Sequence, residues 1–573
     1  MKNLELAGIF DRIADILEFR GDLVFKVNAY RRAARTLEGM AEDVEAVRRQ
    51  GRLRELPGIG SAIADKIAEY LDTGTMAKYQ EVKKLFPAGL IDLLQVQGLG
   101  PKTLALLHRE LKVRDQAGLR KVLESGAAAR LPGMGAKKVV NILKGLEHYQ
   151  AGRERLFLGQ AYPIAADIVR QLRTLLKTDK VVPAGSLRRM KETIGDIDIL
   201  ACHKNGRKAV EAFTALPQAR QVLASGDTKG SIITAEGLQV DLRVVDGRSF
   251  GAALQYFTGS KQHNVRLREL AKAKGLKVSE YGVFSVRGNR YLAGRDERDV
   301  YRKLGLDWIP PEIREDRGEI EDALRGRLPS LVELADIRGD LHVHSDWSDG
   351  RSSIEDLATA AKELGYKYIA ICDHSRAASY AGGLSADKMA KQIEHIRRYN
   401  SKHGTGNFKL LSGSEVDIRP DGSLDFPDRL LAKLDVVVAS VHSAFTRDVT
   451  ERLIKACRNP NVDIIGHPTG RLISKRDGYQ GLDLEAVMKE AAATGTALEI
   501  NSFYDRLDLN DANCRRARDL GCKIAIDTDS HHVDHLWMME LGVGVARRGW
   551  LGKKDVINCL PADKLVNNKT INK

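Results

Sequence analysis

Six cysteines are spread over the 573 residues, and none is spaced as a C-x-x-C pair. Cys202, Cys372, Cys457, Cys514, Cys522 and Cys559 therefore read as reduced, mostly buried thiols of a cytosolic protein, not as a disulfide framework. Proline is sparse, at 15 residues, while hydrophobic residues make up 43% and charged residues 29%. That balance excludes a disordered tail and predicts a folded chain. No apolar run approaches the roughly 20 residues that cross a bilayer, and the opening MKNLELAGIFDRIADILEF holds no signal-type apolar core. The expected location is the cytoplasm, without a membrane partner.

At roughly 100 to 200 residues per domain the length predicts three to five folded units. Their charge is uneven. Lys+Arg against Asp+Glu is 57 to 44 over residues 1–336 and 34 to 33 over residues 337–573, so +13 of the total +14 lies in the first part. A basic part joined to a neutral one predicts a segment that meets a polyanion, attached to a segment with another task.

Residues 1–150 carry apolar residues at helical spacing, and one phrase recurs in them: LPGIGSAIADKI from Leu56, VQGLGPKTLALL from Val96 and LPGMGAKKVVNIL from Leu131. Each is a G-x-G turn opening an amphipathic helix. Glycine permits the sharp turn and leaves the N–H groups at the helix start uncovered, a phosphate site. The phrase resembles the helix-hairpin-helix element that grips a nucleic-acid backbone. The resemblance points to Gly58, Gly60, Gly98, Gly100, Gly133 and Gly135 as DNA contacts, in domains expected at 1–87 and 88–150.

From 150 onward the pattern turns to short β-branched runs. In GDIDIL, side chains two apart on a strand share a face, which puts Asp196 beside Asp198, and QVDLRVV presents Asp241 in the same alternation. Three carboxylates on adjacent strands can hold two hard divalent cations. The whole run, Gly185-Ser186, Arg189, Gly195-Asp196-x-Asp198 and Tyr256-Phe257-Thr258-Gly259-Ser260, resembles the palm and thumb of family X DNA polymerases.

By that resemblance Asp196, Asp198 and Asp241 hold the two catalytic Mg²⁺ or Mn²⁺ ions. Ser186, Arg189 and Gly195 meet the nucleotide phosphates, Tyr256, Phe257 and Gly259 line the sugar, Asn264 reaches the nascent pair and Arg268 the template. Lys261 and His263 depart from the family pattern at positions expected to flank that pair. KVNAYRRAARTL followed by LPGIGSAIADKI resembles the family's lyase domain, with Lys66 at the Schiff-base position and Lys26 and Tyr30 nearby. Ala62 stands where that domain has a basic residue, so a plain phosphate contact is the competing role for Lys66. The palm is expected at 151–248, the thumb at 249–315 and a charged helical linker at 316–336.

Ten of the 14 histidines follow residue 337, most of them at the ends of strand-like runs spaced as βα units around a parallel barrel. His342, His344, Asp349, His374, Glu415, His442, His467, Asp529 and His531 carry the motifs of the polymerase-and-histidinol-phosphatase (PHP) domain, over 337–573. The resemblance implies up to three Zn²⁺ or Mn²⁺ ions and phosphoester hydrolysis. His395, His403, His532 and His535 match no ligand position.

The implied architecture is multidomain: a helical helix-hairpin-helix region, an α+β nucleotidyltransferase palm with a small α/β thumb, and a distorted (β/α)7 TIM-like barrel. The implied substrates are gapped or nicked duplex DNA and deoxynucleoside triphosphates, for a monomer at the nucleoid. The implied activities are gap filling and 3′-end or abasic-site processing. Two other readings stay open at this level: a PHP phosphoesterase on an inactive polymerase-like platform, and a non-catalytic DNA-end scaffold.

Overall fold

The computed structural model describes residues 2–38, 40, 44–84, 90, 92–96, 99–150, 155–403, 408–473 and 475–565. Residues 1–154 form one compact unit and 155–573 another.

The first unit is helical. In helix Lys2–Arg20, Leu6, Phe10, Ile13 and Leu17 are 0–4% exposed, an apolar stripe at steps of three and four residues. It closes on Leu37, Ile67, Leu104, Leu107, Leu119 and Ile142 in a single core. That core runs across residue 87, so the two helical domains expected on either side are one body. The central residue of each G-x-G turn, Ile59, Leu99 or Met134, is buried, while Gly58, Gly60, Gly100, Gly133 and Gly135 stay exposed.

In the second unit the palm strands are β1 (Leu156–Phe157), β2 (Val181–Pro183), β3 (Thr193–Ile194), β4 (Asp196–Cys202), β5 (Gln221–Ser225), β6 (Lys229–Ile233) and β7 (Gln239–Val245). β1 pairs with β3, and the others form a sheet ordered β2-β4-β7-β6-β5. Only β4 and β7 run parallel within it, and their register sets Asp198 opposite Asp241. Exposed β5, with four of its five residues open to solvent, carries little apolar signal.

The thumb packs helices Phe250–Thr258, Lys261–Ala273 and Glu297–Lys303 on an antiparallel sheet of β8 (Leu276–Ser279), β9 (Gly282–Ser285) and β10 (Tyr291–Ala293). Residues 316–336 depart from the expected helical linker. They hold one six-residue helix, Glu319–Leu324, and the 3-10 turn Leu334–Asp336. Ile320, Ala323 and Leu331 belong to the thumb core, together with Trp550 from the far end of the chain. The charges that suggested a solvated helix are spent on fixed partners: Glu319 is fully buried on His263, and Arg317 pairs with Asp511 at 3.1 Å.

The C-terminal strands, β11 (Gly339–Val343), β12 (Tyr368–Ile371), β13 (Lys409–Asp417), β14 (Val436–Ser440), β15 (Ile464–Ile465), β16 (Ala497–Asn501) and β17 (Ile524–Asp527), are parallel neighbours in chain order. The His344 N–H donates to Ser530 O at 2.8 Å, drawing the two edges together into a nearly closed seven-stranded barrel. Ala370, Cys372, Leu411, Val438, Ile464, Ala497 and Ala525 fill one apolar layer. Further along the same faces, at two-residue steps, stand His374, Glu415, His442, Glu499 and Asp529.

Within this unit the barrel is locked to the palm and thumb. Helix Met539–Arg548 meets the palm where a Cβ on Gly544 would come within 2.6 Å of Met190. The Arg548 side chain, 3% exposed, donates to Glu315 Oε1 at 2.9 Å and Asp511 Oδ2 at 2.7 Å and to Arg189 O at 2.8 Å. Arg547 pairs with Glu312 at 2.8 Å.

Arg548→Ala would take one of two cations from each of two buried carboxylates, leaving Glu315 with Arg189 and Asp511 with Arg317, and is expected to cost ~1.5–3 kcal/mol in denaturant unfolding of the full chain. A pH series adds a second check. Burial pushes the Glu315 carboxyl up, but Arg548, Arg189 and Lys191 bring it down from 4.5 to about 2. A depressed folded-state pKa contributes stability above the unfolded value and loses it as pH falls through the folded one. The stability gap between wild type and Glu315→Gln should be full above pH 4.5 and close as pH falls to about 2.

Candidate active sites

At the first site Asp196 and Asp198 point to one face of β4, with Asp241 beside them on β7. Burial, then the charges of Asp196 and Asp241, pushes the Asp198 carboxyl up to about 7. Asp196 is raised by burial and by Asp241. Against this crowding stands Lys229, 3.7 Å from Asp241, and Asp241 also accepts from Ser231 Oγ and from Gln239 Nε2. Carboxylates held at mutual repulsion with so little counter-charge fit divalent cations. Gly185 sits at φ +61° with its Cα against Asp198, where a Cβ would come within 2.4 Å of the carboxylate. Ser186 follows it in the short helix Gly185–Arg188.

Arg189 does not stand open to a nucleotide. Its Nε donates to Glu315 at 3.1 Å and its Nη1 to Thr258 O at 2.5 Å. Gly259, at φ +71°, leaves room for that guanidinium, 3.2 Å from where a Cβ would lie. Tyr256 and Phe257 meet edge to face at 5.3 Å. Asn264 donates to Tyr256 O at 2.8 Å and accepts from Gln255 at 2.7 Å, and exposed Arg268 lies one turn along the same helix. Gly195 is exposed, packed by Arg155. His263 differs from expectation: it is fully buried and bonded to Glu319 Oε1 at 2.7 Å and Tyr301 OH at 2.9 Å. It braces the thumb core, because the helix turns this position inward, while Lys261 is exposed.

Lys66 rests on its own helix, donating to Ala62 O at 2.9 Å. Lys78, with Arg20 and Lys66 further off, holds the nearby Glu81 carboxyl down. Burial and the Glu81 charge push Tyr30 up, and Lys26 is exposed. Gly98 lies outside the described residues.

At the second site all nine expected residues meet at the C-terminal end of the barrel. Glu415 lies at the centre, with His374 Nδ1 at 2.9 Å, His467 Nε2 at 3.0 Å, His442 Nε2 at 3.2 Å and His342 Nε2 at 3.6 Å. His344 Nε2 stands 3.1 Å from Asp529, and His531 Nε2 3.4 Å from Asp349. Their donor atoms gather into three groups, each within 4.8 Å: His344, Asp349, His374 and His531; His342, His344 and Glu415; His374, Glu415 and His442.

The electrostatics follow. Burial opposes ionisation of Glu415, but His442, His374 and His342 carry it well below the carboxylate range. Burial and the neighbouring His531 and His374 push His344 down to about 3. Buried His344 Nδ1 and His467 Nδ1 have no hydrogen-bond partner among the described residues. Imidazoles and carboxylates converging without thiolate fit borderline-hard divalent ions.

Sequence reasoning passed over the second layer. Glu499 accepts from His342 Nδ1 at 2.6 Å and so orients that ring, a carboxylate–imidazole arrangement common behind metal ligands. Asp417 lies 3.3 Å from His442, and Asn501 donates to Asp529 at 2.9 Å. Two-residue alternation was the available signal, from the ligand Glu415 in SEVD for Asp417 and from apolar Ala497 in ALEIN for Glu499. His395 pairs with Glu355 away from the cluster.

The chain is 39% identical over 566 residues to the DNA polymerase/3′-5′ exonuclease PolX of Bacillus subtilis, with 97% of each chain covered. It belongs to the PolX family. Family matches fall on the helix-hairpin-helix domain (1–76), the DNA polymerase beta palm (161–247) and thumb (253–315), and the PHP domain (340–502). The DNA polymerase lambda of Rattus norvegicus is 26% identical over 342 residues, covering 55% of this chain and 56% of its own. A probable phosphatase of Thermoanaerobacter is 29% identical over 239 residues, 38% of this chain and 89% of its own. In this PolX chain Asp529 and His531 lie beyond the PHP match yet complete the cluster.

Ligand binding to the folded state alone raises stability. Adding Mn²⁺ to chelator-treated protein should therefore raise the melting temperature. Glu415→Gln, which removes the carboxylate charge shared by two of the three groups, should lose most of that rise in differential scanning fluorimetry.

Proposed function

We propose that the chain fills short gaps in duplex DNA at the palm and trims or unblocks 3′ ends, or incises abasic sites, at the PHP site. The observation that carries this is the presence of two complete ligand sets, the palm carboxylates and the nine-residue barrel cluster, on one chain. Divalent ions, Mg²⁺ or Mn²⁺ on Asp196, Asp198 and Asp241 and up to three Zn²⁺ or Mn²⁺ ions in the barrel, would supply Lewis acidity.

The chain's own residues do the rest. Asp198 and Asp241 mark where the primer 3′-hydroxyl attacks the α-phosphate. Ser186 and Gly195 meet the triphosphate, and Arg189 exchanges Glu315 and Thr258 for it, one charge-assisted contact for another. Tyr256, Phe257 and Gly259 line the sugar, Asn264 meets the nascent pair and Arg268 the template. Positioning and charge neutralisation make up most of such catalysis.

Duplex binding through the G-x-G turns has its own support. Gly60 and Gly100 have ordinary φ, and a Cβ at either would meet no atom within 4 Å. Both are helix N-caps, a position that favours glycine, and with neither strain nor internal packing at the site the bare backbone also admits close approach by an outside phosphate backbone. Such binding is independent of sequence and weakens with salt. Lys66 serves this phosphate grip, since its ammonium rests on its own helix at the surface, near the Glu81 carboxylate. The chain acts as a monomer on gapped or nicked DNA with deoxynucleoside triphosphates, at the nucleoid of the cytoplasm.

The test is a 5′-labelled primer in a one-nucleotide gap with Mg²⁺ or Mn²⁺, run with and without nucleotides. Wild type should extend with nucleotides and shorten without them. Asp198→Ala should lose at least a hundredfold in extension and keep shortening, and His344→Ala should do the reverse. Shortening without extension in the wild type under either metal would instead make the polymerase half a DNA-anchoring platform.

A further inference from the structure

Beyond the nine ligands, one cation stands at the rim of the barrel site. The loop after β16 turns back on itself: Asn501 and Asp508 pair backbone to backbone, and the Leu507 N–H donates to Phe503 O at 3.1 Å. The Asp508 carboxylate accepts from the Thr469 N–H at 3.1 Å and its hydroxyl at 2.7 Å. Arg471 clamps Leu507 O at 2.6 Å. Loop side chains are thereby held in place, and Arg506 points over the site with its side chain 23% exposed and its Nε 4.0 Å from Asp529 Oδ2.

Two features of this residue call for a ligand. Neighbouring arginines have acceptors for their guanidinium groups, Arg471 on Glu192 and Leu507 O, Arg476 on Gly470 O. No acceptor among the described residues takes a hydrogen bond from the Arg506 guanidinium, although it carries five N–H donors. The second feature is charge. Asp349, Glu415 and Asp529, with Glu499 and Asp417 behind the imidazoles, bring five negative charges to a ligand set with room for three divalent cations. Filled with three, the site is positive, and a further cation a few ångströms away adds repulsion. An anion lying between them reverses that sign.

We infer that Arg506 grips the substrate phosphodiester, its planar fork taking two phosphate oxygens while the barrel ligands face the bond to be cut. A guanidinium matches phosphate in this way and a lysine ammonium does not. The same contact would let inorganic phosphate compete with the DNA end.

The inference rests on phosphoester hydrolysis at this site, and the test separates the two. Full-length wild type, Arg506→Met and Arg506→Lys, loaded with Mn²⁺, are compared in three measurements: bound metal per chain, calorimetric binding of inorganic phosphate, and kcat/KM for primer shortening. Extension in the gap serves as the control for folding. Losing a charged hydrogen bond of about 1.5–3 kcal/mol predicts a tenfold to hundredfold loss of phosphate affinity and of kcat/KM in Arg506→Met. Arg506→Lys should recover only part of it, with metal content and extension unchanged. Phosphate affinity within twofold of wild type, or a fall in bound metal alongside it, overturns the inference. If Arg506→Met also loses extension, Arg506→Lys decides: phosphate affinity weakened at least tenfold upholds the fork contact, and unchanged affinity overturns it. If wild type shortens no primer, the hydrolytic reading fails, and phosphate calorimetry still tests Arg506.

Discussion

The arrangement of the larger unit turns on one buried guanidinium. Arg548 reaches a palm carbonyl, a carboxylate at the end of the thumb and a carboxylate of the barrel, Asp511, with almost no exposure to solvent. In water such pairs contribute little, but out of solvent the desolvation of each partner is recovered only if all of them stay in place. Three domains are thereby held to one geometry. The Glu315 carboxylate has a double duty, since it also holds the arginine expected at the nucleotide phosphates.

Both sites rest on the alternation of side chains along strands. In the palm it puts Asp196 and Asp198 on one face, and the parallel pairing of β4 with β7 delivers Asp241. In the barrel the same rule runs on five strands, from the apolar layer below to His374, Glu415, His442, Glu499 and Asp529 above. The barrel site is the more enclosed of the two: Glu415, His342 and His344 are nearly inaccessible, whereas the palm carboxylates lie half-buried.

This is why most of each site was legible in the sequence. D-x-D, H-x-H and the glycine pairs are local patterns whose geometry follows from the strand or turn that carries them. What stayed hidden depended on contacts between distant segments. His263 and Lys261 lie two residues apart on one helix, and nothing local says that only the first turns into the thumb core against Glu319. Charge in 316–336 looks like solvation until Asp511 and His263 are seen to absorb it. Glu499 and Asp417 were within reach of the alternation rule, but Arg506 and Arg548 were not, since an arginine in a loop or a helix end carries no periodic mark.

The glycines at the join between barrel and palm bear on modularity. Gly544 admits Met190, and Gly159 admits Tyr504, each with no space for a methyl group. Side chains that interlock this closely leave matching apolar hollows when parted. The larger unit is therefore an inseparable pair of enzymes and not two beads on a string, and its two chemistries have to evolve against a shared wall.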